Sequence, residues 1–169
     1  MPPRIDGNVH VALVVSDAVR SAQWYGRVFG FIVVRTTVAE TVHHVSGRHG
    51  AFTFTSLFHP PSRLFMGLAQ PKDPGAAAFD WSRPGLQHFG FHVEERDELD
   101  AWSRHLDELG IEHSEVLSEG PGLLVRFHDP DQIPVEVYWP DGQYCEQLFT
   151  MLARSRASAA RERRREKGT

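Results

Sequence analysis

The feature that most limits how this chain can fold is that it is written twice. With His10 laid over His88, Trp24 and Trp102 each fall fourteen residues downstream, and Gly30 and Gly110 fall twenty and twenty-two downstream. The ends of the two halves also match. Phe65-Met66-Gly67-Leu68-Ala69-Gln70-Pro71 lies over Pro134-Val135-Glu136-Val137-Tyr138-Trp139-Pro140, which sets Gly67 opposite Glu136. A repeat of about 75 residues is too long for a solenoid and suits a pair of modules related by a pseudo-twofold axis.

Local signals give each half the same order of elements. Val9–Val15 is a β-branched apolar run, and Ser16-Asp17 after it is a helix N-cap for Ala18–Phe29. Ala22, Tyr25, Val28 and Phe29 recur at helical spacing, and Gly30 sits where a left-handed C-cap is expected. Phe31–Val38, Ala51–Phe58 and Leu64–Leu68 read as strands, the last two joined across His59-Pro60-Pro61-Ser62. The second half repeats this with a strand over Leu86–Val93, a helix over Arg96–Leu109 stopped by Gly110, and strands over Glu112–Leu117, Leu123–His128 and Val135–Trp139. The spacing predicts an α+β chain of two paired βαβββ modules, 8–71 and 86–140, joined by a linker over 72–85. Residues 141–169 follow as a C-terminal helix and basic tail, with Cys145, Leu148, Phe149 and Leu152 on one helix face that packs against the body or a partner subunit.

Composition narrows the function classes. At 169 residues and 41% hydrophobic content the chain can bury a core, and its apolar runs are far shorter than the roughly 20 residues of a membrane-spanning helix. The N-terminus lacks a signal-peptide profile, so a soluble cytoplasmic protein is expected. The net charge of −4 divides into +5 on residues 154–169 and −9 on the rest. A short basic tail without interleaved aromatic residues reads as a solvated terminus, so neither nucleic acid nor membrane is an expected partner. Neither a GxGxxG motif nor a phosphate loop is present. One cysteine against ten histidines means that any bound metal must be held by imidazole and carboxylate.

Three positions stand out on the predicted strands: His10 and His88 on the first strand of each module, and Glu136 on the last strand of the second. Two imidazoles and one carboxylate suffice to hold a divalent metal with open coordination positions, and strands hold ligands more rigidly than loops. His92 lies on the same strand face as His88 and is a candidate proton shuttle. Trp24 and Trp102 read as helix-packing residues. His43, His44, His49 and His59 lie in the insertion around the third strand, and His105 and His113 are expected to be exposed.

His10-Val-Ala-Leu-Val-Val-Ser-Asp17, Ser21-Ala-Gln-Trp-Tyr25 and Phe29-Gly30-Phe31 together resemble the opening of the vicinal oxygen chelate superfamily, which includes glyoxalase I, extradiol dioxygenases, fosfomycin-resistance enzymes and bleomycin-resistance proteins. Gly85-Leu-Gln-His88-Phe-Gly-Phe91 and Asp129-Pro-Asp-Gln-Ile-Pro-Val-Glu136 are similar to its other recurrent signatures, with Gln132 where a glycine is common. The resemblance covers residues 8–140 and implies that His10, His88 and Glu136 bind metal inside a cup formed by the paired modules. It also implies a fourth ligand in glyoxalase I and its related epimerases at the position of Gly67, which has no side chain to offer; the site is then of the three-ligand type. Ten residues before Glu136, where the extradiol and fosfomycin enzymes have a tyrosine facing the cavity, this chain has Arg126, a fork of donors for a carboxylate or phosphonate. Tyr138, Tyr25 or a spare histidine is left to supply acid–base chemistry.

The expected function is therefore that of a divalent-metal-dependent enzyme whose small substrate chelates the ion through adjacent oxygens. An Fe(II) extradiol-like dioxygenase, an oxidoreductase, is favoured. Mn(II), Zn(II) or Ni(II) lyase, isomerase or transferase chemistry on the same scaffold is the first alternative, and a metal-free antibiotic-sequestering protein of the bleomycin-resistance type is the second. The resemblance implies a homodimer.

Overall fold

The computed structural model of the protein describes residues 10–42, 49–72, 79–80, 82–143, 146–147 and 150–151. The first module is β1 (His10–Val14), α1 (Ala18–Phe29), β2 (Ile32–Val42), β3 (His49–His59) and β4 (Leu64–Pro71). The second is β5 (Phe89–His92), α2 (Glu98–Glu108), β6 (Leu117–Glu119), β7 (Gly122–His128) and β8 (Pro134–Pro140). Their sheets share one strand order, β1-β4-β3-β2 and β5-β8-β7-β6, and in each the first strand runs parallel to the last. The chain is thus α+β, built of two βαβββ modules, and the written repeat is a repeat in space. It divides into two compact units, Met1–Gln87 with His128–Pro134, and His88–Phe127 with Val135–Thr169.

In the first unit, the Asp17 carboxylate accepts the Val19 and Arg20 N–H groups, and Gly30 closes α1 at φ 80°, a conformation that costs glycine nothing. The buried stripe of α1, which includes Ala18, Ala22, Tyr25 and Val28, faces Leu13 of β1, Leu57 of β3 and Met66 and Leu68 of β4 in the core. Residues 128–134 close this unit. Asp129, 1% exposed, accepts the Asp131 and Ile133 N–H groups on Oδ1 and the Tyr25 hydroxyl on Oδ2 at 3.0 Å. Asp131 accepts from the Ser16 N–H and hydroxyl, the Ser21 hydroxyl and Arg20. Burial holds the Asp129 carboxyl above its ordinary range, and burial together with the Asp129 charge pushes the Tyr25 phenol far up. The pair therefore reads as a neutral phenol donating to a buried carboxyl.

In the second unit, Leu99 and Leu106 of α2 are fully buried with Leu124, Val125 and Phe127 of β7 and Val135 and Val137 of β8. The strand expected over Glu112–Leu117 is instead a single bridge at His113, with the ladder resuming at Leu117↔Leu124. Ser114 explains the interruption: its Oγ accepts the Arg126 N–H, a side chain taking a bond from the backbone that the ladder would otherwise use. His113, expected on the surface, has a side chain only 13% exposed and lies 3.3 Å from Asp107. Residues 142–143, 146–147 and 150–151 are helical. Cys145, Leu148, Phe149 and Leu152 lie outside the described residues, as do His43, His44 and the tail. No helix among the described residues is long and apolar enough to cross a membrane.

Candidate functional site

Strand register places the predicted ligands. In β1, His10 pairs with Phe65 and Ala12 with Gly67. In the second sheet Gly90 pairs with Glu136, so Glu136 stands two residues beyond the point level with His88. Gly67 is therefore to His10 what Glu136 is to His88. Exposure alternates along β5, with Gly90 and His92 outward and Phe89 and Phe91 half-buried, while His88, expected within a strand over Leu86–Val93, stands immediately before it. That alternation puts His92 on the face of His88, and across from it Tyr138 pairs with His92 and follows Glu136 at strand period two.

This face holds a connected polar group. His88 Nε2 lies 3.5 Å from Glu136 Oε2, and Glu136 is 5% exposed. The other oxygen, Oε1, accepts Arg126 Nε at 2.8 Å and Nη2 at 2.6 Å. The far edge of the same guanidinium donates from Nη1 to Glu119 Oε1 at 3.1 Å and from Nη2 to Glu119 Oε2 at 2.7 Å. Four of the five guanidinium N–H donors are thereby directed at two carboxylates. The hydrogen bonds hold Glu119 below the ordinary carboxylate range and Arg126 above its ordinary value. Tyr138 donates a long hydrogen bond of 3.5 Å to the Glu119 carbonyl.

Of the predicted donors, His88 and Glu136 stand as two ligands of one divalent ion would. Two ligands bonded to one ion at about 2.0–2.2 Å, at angles from square to tetrahedral, stand about 3.0–3.5 Å apart, and the His88–Glu136 oxygen–nitrogen separation is 3.5 Å. Among the described residues, no three His, Cys, Asp or Glu side chains form a metal-holding group. His10 belongs to the first unit and His88, Glu136, Arg126, His92 and Tyr138 to the second. Beside His10, the position equivalent to Glu136 is filled from another direction. A Cβ on Gly67 would run into Cζ of Phe54 and stand 2.9 Å from its Cε2, so the phenyl ring occupies the volume a side chain there would need.

The model of the glyoxalase/bleomycin resistance protein/dioxygenase superfamily matches residues 7–137. The chain belongs to this superfamily. A comparison with curated proteins finds no match. Among solved structures, a glyoxylase/bleomycin resistance protein/dioxygenase domain from Frankia sp. EAN1pec superposes with a TM-score of 0.69 at 26% identity, covering 81% of this chain and 99% of that one. A variant of the genomically encoded fosfomycin resistance protein FosX from Listeria monocytogenes, complexed with Mn(II) and 1S,2S-dihydroxypropylphosphonic acid, shares the fold with a TM-score of 0.60 at 16% identity, over 86% of this chain and 99% of that one. The glyoxalase family protein from Bacillus cereus shares it with a TM-score of 0.62 at 16% identity, over 83% and 97%.

Other predicted groups of this superfamily member fall elsewhere. Tyr25 is committed to Asp129 in the first core. His59 Nδ1 lies 2.6 Å from the Ser62 hydroxyl in its turn. Trp24 is buried, and Trp102 is half-buried with its ring edge-on to His105. An open groove of about 730 Å³ beside α1, lined by Arg20, Trp24, Arg27 and His128, holds none of the predicted ligands. Two residues of the site carried no signal in the sequence: Glu119, seven positions before Arg126, and Phe54, thirteen before Gly67. Both act through side-chain reach across a sheet, which no local pattern encodes.

Proposed function

We propose that this protein is a divalent-metal-dependent enzyme in which His10, His88 and Glu136 hold the ion and a small substrate binds it through adjacent oxygens. The observation that carries the reading is the divided carboxylate of Glu136, with Oε1 saturated by Arg126 and Oε2 turned toward His88. When bound, the ion supplies Lewis-acid activation and a template for the chelating oxygens. Arg126 serves as a positioning residue: with Oε1 engaged, Glu136 offers one oxygen and not two, and the guanidinium is itself balanced by Glu136 and Glu119. His92 and Tyr138, on the same face as His88 and Glu136, take up and return the proton. Lyase, isomerase or transferase chemistry with a redox-inactive ion is the first reading, supported by the shared fold of the Mn(II)-bound fosfomycin resistance protein variant. A second reading, an Fe(II) extradiol-like dioxygenase, is favoured by Gly67, since three ligands leave room for substrate and dioxygen together.

The protein also acts as a homodimer in this proposal, supported by the exposed Ile32, Val33, Val34 and Val38 of β2. Light scattering on the purified protein reads the mass. Titration with Mn(II), Zn(II), Ni(II) and anaerobic Fe(II) should give one ion per chain, lost in His10→Ala, His88→Ala and Glu136→Gln. A protein that takes up no stoichiometric ion overturns the enzyme reading in favour of sequestration. Oxygen uptake by the Fe(II) form with catechols separates the two chemistries.

A further inference from the structure

The first sheet carries a group of rings that the proposed metal chemistry does not use. Register puts Phe65 level with His10, Phe58 opposite Phe65, and Phe54 opposite Ala69, all on the face that bears His10 and Gly67. Phe58 and Phe65 have ring centroids 4.7 Å apart, and Phe52 and Phe54 meet edge to face at 6.1 Å. Phe65 remains 41% exposed. In the second sheet the equivalent of Gly67 is a buried, ion-paired carboxylate; in the first it is a glycine under the Phe54 ring. The equivalent positions of the two sheets therefore differ in chemistry, one ionic and one aromatic.

We propose that Phe54 is a specificity-determining residue: its ring closes the place from which β4 would supply a further ligand beside His10, and makes that side an apolar wall against which the substrate lays a flat apolar group carried next to its chelating oxygens. The inference rests on the metal-enzyme reading above. A glycine at residue 67 is required for it, because a Cβ there would collide with the ring. A compact hydrophilic chelator would leave Phe54, Phe58 and Phe65 facing water, whereas a planar apolar group buries them.

The test uses Mn(II)-loaded full-length protein and two probes, tropolone, which is flat and apolar beside its two oxygens, and oxalate, which has the oxygens alone. Calorimetry should show Phe54→Ala weakening tropolone by about tenfold, the loss expected for one aromatic contact, with oxalate within twofold and the Mn(II) isotherm unchanged. In the Phe54→Ala background, Gly67→Glu should raise Mn(II) affinity at least about tenfold, as an added carboxylate ligand does. Gly67→Glu alone should show no such gain, because the ring fills the space. An unchanged tropolone affinity in Phe54→Ala, or an equal loss for both probes, overturns the proposal while leaving the metal reading intact. A wild-type protein that takes up no Mn(II) overturns both, and does so before any chelator is added.

Discussion

Replacing Arg126 by leucine tests how Glu136 is held. Glu136 is 5% exposed and receives two guanidinium N–H bonds, at 2.8 and 2.6 Å. Removing one partner of a fully buried ion pair costs about 3–5 kcal/mol, because the remaining charge stays desolvated. The Arg126 side chain is 33% exposed, so water screens part of the attraction. His88 at 3.5 Å can also share the load. Discounting for both, Arg126→Leu should cost the metal-free protein about 2 kcal/mol. The cost should nearly vanish when Glu136 is already leucine, since no buried carboxylate is then orphaned. Urea unfolding of wild type, both single variants and the double variant gives the coupling, expected at about 1.5 kcal/mol. Arg126→Lys should recover less than half, because a lysine cannot address Glu136 and Glu119 with one planar fork. Additive costs in the cycle, or full rescue by lysine, would refute the divided-carboxylate argument and return Arg126 to the role of a free substrate clamp.

Two further outcomes follow from the segment 128–134. Gln132 adopts φ +67°, a left-handed conformation disfavoured for residues with a Cβ, so Gln132→Gly should stabilise the protein by about 0.5–1 kcal/mol, read as a higher urea midpoint. Asp129 supplies a pH dependence with a defined sign. Its folded pKa lies above the unfolded value, so the folded state holds the proton more tightly, and this group's contribution falls as pH rises from the ordinary carboxylate range through the raised one. Asp129→Asn removes that loss while its side-chain oxygen can still accept the Asp131 and Ile133 N–H groups. Relative to wild type, the variant should therefore gain stability as pH rises through and above the ordinary carboxylate range. A difference in urea midpoint that is constant across this interval would remove the buried Asp129 charge from the account.

Most of the fold was legible because its signals are local. Asp17 and Gly30 bound α1 where a carboxylate cap and a left-handed glycine are expected, and α1 covers Ala18–Phe29 as the periodicity indicates. The interruption at His113 and Ser114 was not legible, since it depends on a hydroxyl meeting a backbone N–H twelve residues away. The docking of Asp129 and Asp131 onto α1 joins residues more than a hundred positions apart, and nothing in the run Asp129-Pro130-Asp131 specifies its target.

The candidate site divides along the same line. The sequence by itself determined the two modules and the equivalence of His10 with His88 and of Gly67 with Glu136, because strand period and repeat spacing set register before any contact is made. Only the tertiary structure decided that Arg126 spends its donors on Glu136 and Glu119, and that Phe54 lies over Gly67. Those outcomes depend on where long side chains end after crossing from one strand to the next, and that reach exists only once the sheets have formed.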